Sequence, residues 1–280
     1  MRLFKKTSAP GVSAKTGLKK GKQPLLNSMG WSMKTFDWLV LFLLGLIWFS
    51  PLGAARLSIK PYFGYAVVNM SEVNDDMVTK LDALFRQTGV RLPPPESFGG
   101  NYAWGFQMEY HWEEEYFVNV SSYFYREPTE AWYSGYLQGN AVEYHYQRTI
   151  EYLEFTLGLH YFFRYSTWKR INWFIGSGVG VGIGWNESTF YYSDASYLIN
   201  NKGDFSTSAM SAYFSAGITF HMTRSFYFFL EPGYRVAPLR EMTGRLTTPA
   251  GVTDSFTTPE KYDFSGFFIM AGVGLGIPLL

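Results

Sequence analysis

The sequence has no cysteine. That excludes disulfides, thiolate metal sites, a cysteine nucleophile and lipid attachment through an N-terminal cysteine. Long apolar runs are also missing. The stretch from Trp38 to Phe49 spans about 12 residues, whereas a membrane-crossing helix needs about 20. Histidine is scarce, with four in 280 residues, and charge nearly cancels at +1. No GxSxG, HExxH or P-loop pattern occurs. The sequence therefore points to no catalytic residue, no bound metal and no cofactor, and the chain is read as a non-enzyme.

What is present is aromatic and glycine-rich: 25 Phe, 21 Tyr, 9 Trp and 28 Gly. Large aromatic side chains favour strands over helices. The near-neutral charge conceals an asymmetry. Residues 1–55 hold eight of the 24 Lys and Arg and one of the 23 acids, which leaves the remainder at a net −6. A nucleic-acid partner is not expected for that remainder.

Lys34, the apolar core Trp38–Phe49, the breakers Pro51 and Gly53 and the small residues Gly53, Ala54 and Ala55 form the three-part layout of a secretory signal. Residues 33–55 are read as that signal. Residues 1–32 are basic and without apolar period, and are either an over-long start or an extended basic leader. Residues 56–280 form the mature domain.

That domain alternates with a period of two, the signature of strands with unlike faces. Trp104, Phe106, Met108 and Tyr110 oppose Gly105, Gln107, Glu109 and His111. Trp173, Ile175, Val179, Val181, Ile183 and Trp185 oppose Asn172 and five glycines. Eight such strands are expected at about 56–70, 101–111, 116–126, 149–163, 171–185, 209–222, 226–236 and 264–277. The apolar faces carry no charge, and glycine would be a poor choice for a strand face turned to water. The apolar face is therefore assigned to lipid and the small or polar face to a lumen. Short and long connections alternate, which places both ends of the strand array on one side of a membrane. The long segments 71–100, 127–148, 186–208 and 237–262 are read as outer loops. Within them, 74–87 reads as a helix with Asn74 as cap and Val78, Leu81, Leu84 and Phe85 on one face. Turn signals at 138–140 and 249–251 suggest that strands 3–4 and 7–8 continue outward as hairpins.

The architecture, with GSGVGVGIGW (176–185), LEPGYR (230–235) and GFFIMAGVGLG (266–276), resembles the small outer-membrane barrels of the OmpA-domain, OmpX and OmpW kind. The sequence ends IPLL, where such barrels carry an aromatic residue. The fold class expected is an all-β, transmembrane, antiparallel up-and-down barrel of a Gram-negative-type outer membrane.

Lys60, Glu109, Glu154, Glu231 and Arg235 fall on inward faces, where buried charges must pair. The resemblance also implies a lumenal ion-pair plug. A closed or very narrow lumen is expected. Trp132, Tyr133, Tyr136, Tyr144 and Tyr146 are candidates for a loop interaction surface. The expected role is structural or adhesin-like, through the outer loops. The alternatives are a narrow, OmpW-like channel for small or apolar solutes and, less favoured, a lipid A-modifying enzyme. Expected partners are outer-membrane lipid and lipopolysaccharide, the barrel assembly machinery, and host or envelope proteins, with the barrel monomeric. N-terminal sequencing of protein recovered from membranes should show a mature chain starting near Arg56; a retained 38–50 segment would refute the leader assignment.

Overall fold

The computed structural model describes residues 56–111, 115–137, 139–163 and 170–278. The proposed leader lies outside these residues. The described chain forms ten strands and one helix: β1 (Arg56–Val67), α1 (Ser71–Thr88), β2 (Gly100–His111), β3 (Tyr116–Leu137), β4 (Asn140–Phe163), β5 (Ile171–Ser193), β6 (Leu198–His221), β7 (Phe226–Val236), β8 (Pro238–Thr248), β9 (Gly251–Asp263) and β10 (Gly266–Pro278).

Eight strands close a ring. Each of β1 to β6 pairs antiparallel with the next, β7 pairs with β10, and β10 returns to β1 through Leu57↔Ile277 and Ala66↔Phe268. Within the band, closure gives every ring strand a partner on both sides, the condition for a sheet inside hydrocarbon. Outward positions of the ring are apolar and exposed, among them Phe63, Trp104, Leu159, Val179, Phe214 and Ile269. From the strand ends at Arg56 and Pro278 up to the outward Arg126–Glu151 pair, no outward position on the eight strands carries a charge. Tyr65, Tyr102, Trp185 and Tyr234 rim the upper edge of this band. A band of this kind is about 25 Å tall.

Four ring strands run well past the band. β3, β4, β5 and β6 reach Leu137, Asn140, Ser193 and Leu198, so 127–148 and 186–208 are mostly strand rather than loop. Their outward faces turn polar above the band (Glu130, Ser134, Glu187, Asp204), which hid the strand signal but leaves the backbone pairing intact. The 249–251 hairpin forms as β8–β9. It continues β7 and β10 after breaks at Ala237 and at Phe264–Ser265, and joins β6 through Lys202↔Thr247 to Ser206↔Thr243.

The expected helix forms but begins three residues earlier. Met70 occupies the cap position without a side-chain bond, and Asn74 instead bonds the backbone of Phe98 in both directions, at 2.7 and 2.8 Å. Its buried residues are Val73, Met77 and Leu84, while Val78 and Phe85 face outward. Those buried residues share an apolar cluster with Val90, Leu92 and Phe98 of the returning segment; of the expected face Leu84 is buried and Leu81 packs against the cluster, while Val73 and Met77 take the place of Val78 and Phe85. Gly89 ends it in the left-handed conformation (φ 72°), where a side chain would be strained.

Val179→Arg, in the middle of the lipid-facing band of β5, should destabilise the folded barrel by about 2–4 kcal/mol in lipid. Glu187→Arg, above the band on the same face, should change little. Urea unfolding in vesicles, followed by heat-modifiable gel mobility, measures both.

Candidate functional site

Inward alternation stacks the polar side chains in layers along the lumen. In the lower layer Lys60 (β1) forms an ion pair with Glu109 (β2), both fully buried. Tyr227 Oη and Gln107 Nε2 also donate to the Glu109 carboxylate, each at 3.3 Å. The Lys60 ammonium lies 4.8 Å from the Phe229 ring centre and within 5.6 Å of those of Phe117, Phe174 and Tyr227. It is thus held by a carboxylate and by aromatic faces rather than by water. His160 sits beside this pair, 2.6 Å from Asn119 Nδ2.

In the middle layer Arg235 (β7) contacts Glu154 (β4) at 2.7 Å, and its guanidinium lies 3.5 Å from the Tyr123 ring centre. Glu231 is buried beside them. A void of about 30 Å³ remains among Tyr62, Glu154, Glu231 and Arg235, space for about one water.

The glycine stripe of β5 explains how rings fit so narrow a tube. A methyl at Gly176 would collide with the His160 ring. The small residues leave room that neighbouring rings fill, so the lumen is packed rather than open. Phe174, Phe229 and Phe268 are buried within it, and Phe162 is half-buried. Among the described residues no three His, Asp or Glu side chains converge as a metal-ligand set.

A third layer lies above the lipid band and went unread in the sequence. Arg148 (β4) bonds Glu260 and Tyr262 of β9 and Asn186 Oδ1 of β5, the last at 3.0 Å, and lies 3.6 Å from Asp76 of α1. This layer ties the helix, the ring and the β8–β9 hairpin together. Burial would push the Glu260 carboxyl up, but the neighbouring guanidinium outweighs it and holds the carboxyl below the ordinary range. Extending the even-numbered inward face of β4 from Thr156 back to Val142 would have found Arg148.

The aromatic surface expected on β3–β4 divides by the same parity. Trp132 and Tyr136 point outward and are 70% and 78% exposed, with Tyr133 half-buried. Tyr144 and Tyr146 do not belong to a surface: they face inward and are buried, because Tyr133↔Tyr144 is an inward pair. The free edge of β3 adjoins the exposed pair. β2 pairs with β3 only as far as Tyr125, and segment 96–100 covers the next few residues through Thr129 Oγ1 to Glu96 O and Gly99 N to Glu127. Residues 130–137 of β3 then have a strand partner on the β4 side alone.

A closed ring, an uncharged outward band and a paired polar interior require a hydrocarbon surround. The chain is an outer-membrane β-barrel. No family model and no curated protein matches it. Solved structures do. It is similar to the outer membrane protein OprG from Pseudomonas aeruginosa, at 12% identity over 80% of this chain and 96% of that one, with a TM-score of 0.44. It is also similar to a major outer membrane protein from Thermus thermophilus (10% identity, 80% and 100% covered, TM-score 0.46) and to Neisserial surface protein A (9%, 80% and 98%, 0.39). Likeness at this level says nothing about activity.

Lys60→Met should destabilise the barrel by about 3–5 kcal/mol, because it strands Glu109 in the lumen. Adding Glu109→Gln should recover most of the loss, since neither partner is then a lone buried charge. Paired urea titrations in vesicles test the difference.

Proposed function

We propose that this barrel is a surface interaction protein whose working part is the outer sheet. The observation that carries this reading is the free edge at 130–137 of β3 beside exposed Trp132 and Tyr136, held above a lumen packed with paired charges. An uncovered strand edge offers backbone donors and acceptors to an extended segment of another protein. Two exposed aromatics add amphipathic contact area of the kind that anchors interfaces. A partner protein of the host or of the bacterial envelope, presenting an extended strand, fits this edge. The packed lumen weighs against the channel reading, since a solute would have to break two desolvated ion pairs to pass. The outward histidine, His145, pairs with Glu130 at 3.1 Å in the outer hairpin, not with a serine at the lipid boundary, which weighs against a lipid-modifying enzyme.

Replacing 129–146 and 243–260 with tight turns should leave barrel assembly intact, because the lipid-facing band is untouched. Binding of the reconstituted protein in vesicles to intact cells should be lost, and vesicle permeability to small solutes should stay the same. Trp132→Ala with Tyr136→Ala should weaken binding by about tenfold or more. Changed permeability with unchanged binding would transfer the role to transport. Binding that tracks purified lipopolysaccharide instead of cells would make the partner a lipid.

A further inference from the structure

Above the lipid band four strands present one continuous outward row. Trp132 of β3 stands opposite His145 of β4, His145 opposite Tyr191 of β5, and Tyr191 opposite Asn200 of β6. Strand parity turns these four side chains away from the lumen, while Tyr144, Tyr192 and Phe205 of the other parity are buried. Glu143 above the row and Lys202 below it share the same face, and together these residues line a shallow groove of about 470 Å³. At about 4.8 Å per strand the row spans roughly 14 Å.

The position and pairing of this groove exclude two ordinary occupants. Trp132 lies six residues beyond Arg126, at the upper limit of the band. Six residues of a strand tilted by about 40° rise roughly 15 Å, so the row is not an aromatic girdle against lipid. An extended peptide is excluded too, because β4 and β5 are paired on both sides here and offer no open backbone groups. What the face does offer is ring surface beside groups that donate and accept hydrogen bonds. Tyr191 Oη donates to Glu143 at 3.4 Å, and His145 pairs with Glu130 at 3.1 Å. The amide of Asn200 and the hydroxyls of Ser134 and Thr189, all at the groove, can each donate and accept. A sugar ring has the matching character: C–H groups for an aromatic face, and hydroxyls around its rim. Charge narrows the class. Glu130, Glu143, Glu187 and Asp204 lie on this face with Lys202 and His145, so an acidic sugar meets repulsion.

We infer that this groove binds an uncharged saccharide of one or two rings, with its C–H faces on Trp132 and Tyr191 and its hydroxyls bonded by Glu143 and Asn200. The sugar arrives from outside the leaflet, since a short lipid headgroup does not reach that height. The inference uses the face of the sheet and stands whether or not the β3 edge has a partner. Trp132 alone belongs to both surfaces, so the variants that test the groove are placed on β5 and β6.

The test uses the whole barrel in phosphatidylcholine nanodiscs, with empty discs as the blank. Lactose, N,N'-diacetylchitobiose and a glucuronate-containing disaccharide are titrated by saturation-transfer NMR. An uncharged disaccharide should bind saturably at about millimolar concentration, and the acidic one about tenfold more weakly or worse. Tyr191→Ala and Asn200→Ala should each weaken binding by about tenfold. Heat-modifiable gel mobility reports whether each variant folds, and Asn200→Ala, at an exposed position, carries the test if Tyr191→Ala does not. Discs that include a lipid bearing the same disaccharide should bind the free sugar equally well. Saturable binding by neither uncharged disaccharide, an acidic one that binds as tightly, binding unchanged in the folded variants, or competition from the lipid-borne sugar would each overturn the site.

Discussion

A backbone N–H or C=O left unpaired in hydrocarbon costs several kcal/mol, and this chain answers that cost by closing its sheet. Ring closure fixes the rest. Strands joined at alternate ends must be even in number, and pleating sends successive residues in and out. Eight strands leave a tube just wide enough for side chains. Charge then has one place to go inside the band, the lumen, and there it must be paired. Lys60 with Glu109 and Arg235 with Glu154 are the outcome. The aromatic faces of Phe229 and Tyr123 take up the remaining sides of the two cations.

Above the band the constraint is lifted. Water can satisfy strand edges, so the wall no longer has to close. β1, β2, β7 and β10 stop near the band, while β3 to β6 continue and the β8–β9 hairpin leans on β6. The gap is filled by α1 and the segment after it. Arg148 is the joint, since it touches β5, β9 and α1 from one position on β4. The two ends of the molecule therefore obey different rules. The lower part is sealed and uniform, and the upper part is an open sheet with a covered cavity and edges on β3 and β9 that have a strand partner on one side alone.

This change of rule also decides what could be read in the sequence. Within the band, lipid enforces strict alternation, and the inward and outward sets of β2, β5, β6, β7 and β10 were all legible. Lys60, Glu109, Glu154, Glu231 and Arg235 were found on the lumen side for the same reason. Above the band, outward residues such as Glu130 and Glu187 are as polar as loop residues, so period-two contrast fades and the strands looked shorter than they are. Tyr144 and Tyr146 look like surface aromatics when the segment is taken as a loop; strand parity buries them. The helix was legible from its period, but Val73 and Met77 are buried through an apolar cluster that spans several strands and the returning segment, a tertiary choice that local pattern does not contain.

Where lumen and rim are built so differently, their capacities differ too. A passage through the lumen would have to desolvate a solute while breaking pairs whose separated charges have no water to return to, a cost set by burial rather than by gate motion. The rim faces no such barrier. Its cavity is lined by rings and aliphatic side chains together with Arg148, Asn186 and Glu260. Its β3 edge is uncovered from 130 to 137 where two aromatics are exposed. An uncovered strand edge offers another chain backbone donors and acceptors. In this chain the ring holds Lys60 with Glu109 and Arg235 with Glu154, while the uncovered edge of β3 lies outside the membrane, within reach of the cell's surroundings.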